Sequence, residues 1–177
     1  MVKFITKIID SKVVLFQEGV IMAEALDVLI DPDDGSFVGL EVFLKTDKRR
    51  MFVPSSEIKG FGQGLVVVKD FSSFVLSDEV VRIGKVIEKK TKIIGSRVFY
   101  DNGEYVGKVE DATISFEELS LKNIYISPKF SIKFLAENLI ISAKMITRIE
   151  KNKIYIKNTD DKIKAAKAIV SPSPAVD

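Results

Sequence analysis

Apolar residues in this chain fall in short segments that alternate with polar positions. The segments 37–44 (FVGLEVFL), 97–100 (RVFY) and 153–156 (KIYI) show the period of two that is typical of β-strands. Turn-forming residues separate such segments, and the stretches 31–35 (DPDDG) and 100–105 (YDNGEY) supply the glycine that a tight turn needs. Further strands are predicted at 12–16, 25–30, 65–68, 123–126 and 138–141. The pattern therefore predicts a mainly β fold with hairpins at both turns.

The pattern also occurs twice. Residues 7–13 read KIIDSKV and residues 92–98 read KIIGSRV, and the similarity returns at 53–69 and 141–157. The positions that align are Gly19 with Gly103, Asp27 with Asp111, Ile30 with Ile114, Ile58 with Ile146, and the alternating Leu65 and Val67 with Ile154 and Ile156. A repeat of this length corresponds to a whole small domain, because solenoid units usually have about 20–50 residues.

The repeat divides the chain into four predicted parts. Residues 1–76 and 92–158 form the two domains, and residues 77–91 connect them. Ser77 is expected to cap a connector helix whose apolar stripe packs against a domain. For residues 159–177 the composition predicts a short helix followed by a disordered Ser/Pro tail.

Composition narrows the classes of function. The net charge of +2 requires no polyanionic partner, and the absence of cysteine and histidine removes disulfides, the common nucleophile–base pairs and the commonest metal ligands. No apolar run approaches the roughly 18 residues of a membrane span. We therefore expect a soluble cytoplasmic protein that is not an enzyme and has no cofactor, metal or catalytic residue.

The second copy carries a family signature. Residues 95–114 (GSRVFYDNGEYVGKVEDATI) resemble the opening of a PRC-barrel domain, and residues 141–157 resemble its final strands. Residues 26–42 and 51–69 fit the same pattern in the first copy. The signature glycine Gly107 corresponds to Ala23 in the first copy, and Gly95 corresponds to Asp10.

This resemblance implies an architecture and a class of role. It predicts two small PRC-type β-barrels in tandem, joined by the short helical connector. The family includes the cytoplasmic part of the photosynthetic reaction-centre H subunit and the C-terminal half of a ribosome-maturation factor, which bind other macromolecules and supply no catalytic residue to transfer. The expectation is a cytoplasmic adaptor or scaffold that binds another protein, with self-association as a further option. The alternative is a protein that associates with RNA or the ribosome.

Two sets of residues are candidates for binding. Apolar candidates for a protein partner lie in and just before the connector and in the insertion of the second copy: Phe71, Phe74, Val80, Phe130 and Phe134. Basic candidates for an anionic partner lie in one loop: Lys45, Lys48, Arg49 and Arg50. A solvated hairpin tip is the favoured interpretation of the basic loop, and RNA phosphate or an acidic protein is the alternative.

Overall fold

The computed structural model describes residues 1–129 and 139–158 of the chain. Over these residues the protein is mainly β, as the sequence predicts. The first half contains β1 (Val2–Phe4), β2 (Lys12–Leu15), β3 (Ile21–Ile30), β4 (Phe37–Leu44), β5 (Arg49–Pro54), β6 (Ile58–Phe61) and β7 (Leu65–Val68). The second half contains helix α1 (Val81–Lys89), β8 (Arg97–Tyr100), β9 (Tyr105–Ser115), β10 (Ser120–Pro128), β11 (Leu139–Ser142), β12 (Ile146–Glu150) and β13 (Lys153–Ile156).

The strands form two sheets with the same order. The first sheet runs β5-β4-β3-β2-β7-β6, and the second runs β11-β10-β9-β8-β13-β12. In each sheet the first strand of the copy pairs in parallel with the last, β2 with β7 and β8 with β13, while the other neighbours are antiparallel. The hairpins predicted at the two glycine turns join β3 to β4 and β8 to β9.

The prediction of two barrels needs a correction, because neither sheet closes. The hydrogen-bonded order of each is an open path across the described residues. In the first sheet the edge strand β5 pairs with Val75, just before the connector, instead of with β6. The backbone N–H of Phe52 donates to the carbonyl of Val75 at 2.9 Å, and the N–H of Val75 donates back to Phe52 at 2.8 Å. The segment that leads into the connector therefore occupies hydrogen-bonding positions that a closing strand would use.

Local geometry repeats along with strand order. Asp10 and Gly95 occupy the same left-handed position, with φ of 65° and 80°. Their N–H groups donate to the carbonyls of Ala25 and Val109, at 2.8 and 2.9 Å. One residue is bulged out just before Asp27 in the first sheet and just before Asp111 in the second. The equivalent buried residues of the last strands are Val66 and Val68 with Ile154 and Ile156, so the sequence alignment of Leu65 and Val67 with these isoleucines was wrong by one position.

The connector contains the one α-helix of the described residues, but this helix starts later than predicted. Val80 precedes the first helical residue in an extended conformation, and Ser77 makes no cap. The reason is a tight turn before the helix, in which the Glu79 carboxylate accepts the N–H of Leu76 at 2.6 Å. Ile83 and Val86 of α1 are buried against Leu29 and Val38 of the first sheet, in a small apolar cluster of their own.

Charged side chains also anchor α1 to the β3–β4 turn. The Arg82 guanidinium contacts Asp31 at 3.3 Å and Asp34 at 2.8 Å, and Lys89 pairs with Asp33. The hydroxyl of Ser36 donates to Asp34, and this bond, more than Arg82, holds the pKa of the Asp34 carboxyl below its ordinary value. The acidic DPDDG turn thus serves as a docking point for the helix. No helix in the part of the chain that the structure describes is long and apolar enough to cross a membrane.

The two halves are interleaved. Strand β1 pairs with β9 of the second sheet, at Val2 opposite Ser115. The β3–β4 and β9–β10 turns also meet, since the N–H of Phe37 donates to Leu119 at 2.7 Å and that of Leu121 to Gly35 at 2.8 Å. Buried side chains of both sheets form one continuous apolar cluster. Residues 2–6 therefore contact the second sheet, a feature that a boundary at residue 76 does not describe, and separate folding of the halves stays a prediction.

Candidate functional site

The connector candidates differ in their exposure. Phe71 is 49% exposed and lies against the ring of Phe74, with 5.8 Å between centroids. Phe74 is only 6% exposed and belongs to the core, and half-buried Val80 packs beside the apolar cluster under α1. A partner can therefore reach Phe71 on this surface but not Phe74. Phe130 and Phe134 lie outside the described residues.

The basic loop is a hairpin tip between β4 and β5. Lys45, Lys48, Arg49 and Arg50 are all exposed there. Arg49 contacts Asp47 at 3.0 Å, and Arg50 contacts Glu41 at 2.6 Å. Acidic neighbours thus offset part of the positive charge that the sequence places in this loop, and its anion-binding role stays a prediction.

The outer face of the first sheet carries an apolar row that sequence reasoning missed. Val14 lies opposite Ile21 on one side and Val67 on the other. Strand alternation puts Phe16 on the same face as Val14. Phe16 is 70% exposed and Ile21 is 47% exposed, and Val20 at the end of the same β2–β3 turn is 49% exposed. These residues form an apolar patch, which we call the first-sheet patch.

The equivalent face of the second sheet is aromatic. Phe99 lies opposite Tyr105 and Tyr155, in the register positions that Val14, Ile21 and Val67 occupy in the first sheet. The ring centroids of Phe99 are 5.4 Å from Tyr105 and 5.8 Å from Tyr155.

Cations border these rings. Arg148 lies over the Tyr155 ring at 4.0 Å from its centroid, and Arg97 lies 5.9 Å from the Phe99 centroid. Both distances are within the range of cation–π attraction. We call Phe99, Tyr105, Tyr155 and Arg148 the second-sheet aromatic row. The motifs RVFY and KIYI contain two of these four residues, Phe99 and Tyr155, but only the parallel register of β8 and β13 brings them together.

The remaining part of each outer face lies against the segment that leads into the other copy: the segment before β2 lies on the second sheet, and the segment before β8 lies on the first. Asp111 on the second sheet accepts hydrogen bonds from the backbone and hydroxyl of Thr6. Asp27 on the first sheet lines a cavity of about 350 Å³ together with Thr91, the residue that aligns with Thr6. Within the described part of the chain the Thr91 hydroxyl is buried without a hydrogen-bond partner.

Burial controls the ionisation of Asp27. Loss of solvent raises the pKa of its carboxyl, and the N–H of Val28, which donates to the carboxylate at 2.8 Å, opposes this effect. Lys92 also lowers this pKa, whereas nearby Glu41 raises it. Residues 1–129 and 139–158 contain no group of three or more acidic side chains placed to hold a metal ion. The covered half of each face is therefore a packing surface, and the open half is where the two copies differ in chemistry.

Comparison with known families identifies a domain in the second half of the chain. Residues 83–163 match the family model of the PRC-barrel domain. The chain contains a PRC-barrel domain. The match covers most of α1 and strands β8 to β13 of the second sheet, and it does not extend to β1 or to the first sheet. No curated protein matches the chain.

Proposed function

We propose that this protein is a non-enzymatic cytoplasmic adaptor built from two PRC-type units, whose first-sheet patch binds an apolar segment of another protein. The tandem arrangement is supported by the common strand order of the two sheets. It is further supported by the shared left-handed position at Asp10 and Gly95 and by the bulges before Asp27 and Asp111.

The exposed apolar row is the observation that carries the binding role. Phe16, Val20 and Ile21 cluster around one turn and continue into Val14 and Val67 on the neighbouring strands. Large contiguous apolar patches are unusual on the surface of soluble monomers and typically mark interaction sites. Burial of a large apolar side chain contributes about 2 kcal/mol, so one such contact changes affinity by roughly 30-fold.

Charge plays a small part at this surface. Two cations lie beside the row, and both have acidic partners: Lys12 pairs with Glu24 at 2.5 Å, and Lys69 lies 3.8 Å from Asp70. Binding through the first-sheet patch is therefore expected to persist at about 0.5 M salt, where screened charge contacts weaken. Exposed Phe71 remains a second candidate contact for the same partner.

The test compares capture by folded variants of the full chain. Phe16→Ser and Ile21→Ser should each weaken capture of the same partner, and the loss should appear at low and at high salt. Val81→Ser is the matched control, because Val81 is also strongly exposed but lies on α1, away from the patch. Photo-crosslinking from position 16 then identifies the protein segment that lies on the patch.

Three results contradict the proposal. One is capture that survives both patch substitutions, and another is capture that fails equally with Val81→Ser. The third is a crosslink from position 16 to a second copy of this chain, with a dimer in sedimentation, which makes the patch a self-association surface.

A further inference from the structure

We propose that the open face of the second sheet binds single-stranded RNA, with bases stacked on the second-sheet aromatic row and phosphates held by an adjacent row of cations. This site is distinct from the first-sheet patch and from the basic loop at residues 45–50. It would give the protein a second kind of partner beside the protein proposed above.

The aromatic row provides the stacking surface. Tyr105 is 36% exposed at one end of the row, and Phe99 and Tyr155 are half-buried beside it. At the other end the Arg148 guanidinium lies over the Tyr155 ring, 4.0 Å from its centroid. Aromatic rings and arginine planes are the groups on which unpaired bases stack.

The cation row lies next to the aromatic row on the same face. Arg97 lies opposite Lys108 on one side and Lys153 on the other. Neighbouring strands are about 4.8 Å apart, so the three cations span roughly 10 Å across the sheet. Arg97 and Lys153 lie two residues before Phe99 and Tyr155 on their strands, and Lys108 lies three residues after Tyr105 across a bulge. The two rows are therefore roughly 7 Å apart. A strand of nucleic acid can then contact one row with its bases and the other with its phosphates.

Ion pairs do not offset the positive charge of the cation row in the described part of the chain. Within residues 1–129 and 139–158, no carboxylate lies within ion-pair distance of Arg97, Lys108 or Lys153, whereas Arg148 pairs with Glu150 at 3.0 Å. Other acidic residues near the face are exposed Glu110 on β9, Glu104, which pairs with Lys129 at 2.7 Å, and Asp111, which accepts hydrogen bonds from Thr6. The three cations of the row therefore have no ion-pair partner in the described part of the chain, and a polyanionic ligand complements them.

The first sheet shows that the arrangement is specific to the second. At the register positions of Lys153, Arg97 and Lys108 the first sheet has Leu65, Lys12 and Glu24. Its one cation there is paired with Glu24, and its equivalent of the aromatic row is aliphatic. The same strand framework thus presents an apolar face in one copy and a basic aromatic face in the other.

The combination favours single-stranded RNA over other anions. An acidic peptide would use the cations but not the stacking rings. A duplex hides the faces of its bases inside the helix, so it too would use only the cations. Unpaired bases use both rows, and they expose π-faces regardless of sequence.

Fluorescence anisotropy with the full chain tests the site. The probes are labelled single strands of uridine or adenosine, about 12 nucleotides long, the matching single-stranded DNA, and an RNA duplex of the same length. Polyglutamate serves as a competitor. The expected order of affinity is single-stranded RNA, then single-stranded DNA, with duplex RNA weakest and polyglutamate a poor competitor.

Substitutions separate stacking from charge. Tyr105→Ala should weaken RNA binding by about 5-fold or more, because stacking of one base is worth at least about that factor. Arg97→Ala with Lys108→Ala should reduce the slope of log affinity against log salt by about 1.4, which is two contacts at about 0.7 each for single strands. Lys108→Glu is a further exposed variant for use if the double variant melts early.

Matched controls are available in the first half of the chain. Ile21 in the first sheet has the register position that Tyr105 has in the second, and Ile21→Ala should leave RNA binding unchanged. Removal of Lys48, Arg49 and Arg50 together takes away more charge than the double variant and should also leave it unchanged. Because Ile21 belongs to the first-sheet patch, the same variant reports on protein capture, so failure of the adaptor proposal and failure of this one give different results.

Several outcomes overturn the inference. Equal binding of duplex and single strand, or effective competition by polyglutamate, would show attraction by charge alone. Loss of binding in the loop variant would move the site to residues 45–50. Wild-type affinity in folded Tyr105→Ala and Lys108→Glu proteins, or the absence of RNA binding above background at about 0.15 M salt, would remove the site altogether.

Discussion

Replacing Gly107 by alanine should destabilise the protein more than its small size suggests. A Cβ at this position would overlap the carbonyl oxygen of Ser127 and lie 2.9 Å from the Cα of Pro128. Both are backbone groups of the paired strand β10, so the clash cannot be relieved by turning a side chain. Overpacking of this kind costs about 3 kcal/mol, the upper part of its usual range. For a chain of this length each kcal/mol lowers the melting temperature by about 2–4 °C, so a decrease of roughly 6–12 °C is expected.

Gly60→Ala is the matched control. Gly60 lies in β6 with no atom within 4 Å of the added Cβ and without a left-handed φ. The same substitution there should be neutral or should stabilise by about 0.4–1 kcal/mol, because alanine restricts the unfolded chain. Thermal and denaturant unfolding followed by circular dichroism measures both variants. A Gly107→Ala protein that melts within about 2 °C of wild type would show that β9 and β10 separate at little cost, and the close packing argued here would be refuted.

Two further predictions follow from the covered faces of the sheets. Asp27→Asn should raise stability near neutral pH, and the gain should vanish as pH falls below about 4, because burial raises the pKa of Asp27 and the folded state loses stability as this carboxyl ionises. Unfolding measured between about pH 4 and 8 gives the difference in stability between Asp27→Asn and wild type. Asp111→Asn should instead destabilise the protein, because it loses a charge-assisted acceptor for Thr6. A loss of stability in Asp27→Asn that is the same at every pH would contradict the argument. Chains 1–76 and 91–177 should each give β-rich spectra, with the second melting below the full chain because it lacks β1. Failure of both to fold alone would mean that the sheets depend on one shared core.

Local repetition made much of the fold predictable. The strands at 37–44, 65–68, 97–100 and 153–156 coincide with the predicted segments, because alternation and turn residues act within a few positions. The repeat correctly placed Asp10 over Gly95, although residues other than glycine are uncommon at a positive φ; aspartate is one of the types enriched there. The start of α1 was missed because the Glu79 carboxylate, and not Ser77, organises the preceding turn.

Long-range pairings were not predictable from the same signals. Strand β1 has three residues and no pattern that points to β9, which is more than a hundred residues away. The aromatic row likewise joins residues that are 56 positions apart, Phe99 and Tyr155, through a parallel pairing that the sequence does not specify. The sequence therefore offered apolar and basic residues as binding candidates, but it selected them by local clustering. Phe74 was selected in this way, and it is part of the core.

The difference between the two open faces bears on how the protein would act. Inward positions of the two copies are uniformly apolar, as Val66 and Ile154 illustrate, because both sheets bury the same side. Outward positions at the same register have no packing role in common. When the two sheets are aligned, Val67 corresponds to Tyr155, and Leu65 corresponds to Lys153. Packing thus accounts for what the copies share, but it gives no reason for one open face to be aliphatic and the other aromatic and basic. Two surfaces of different chemistry on one interleaved framework suit a protein that holds two different partners at once, and this is why the first-sheet patch and the second-sheet aromatic row have to be tested with separate probes and reciprocal controls.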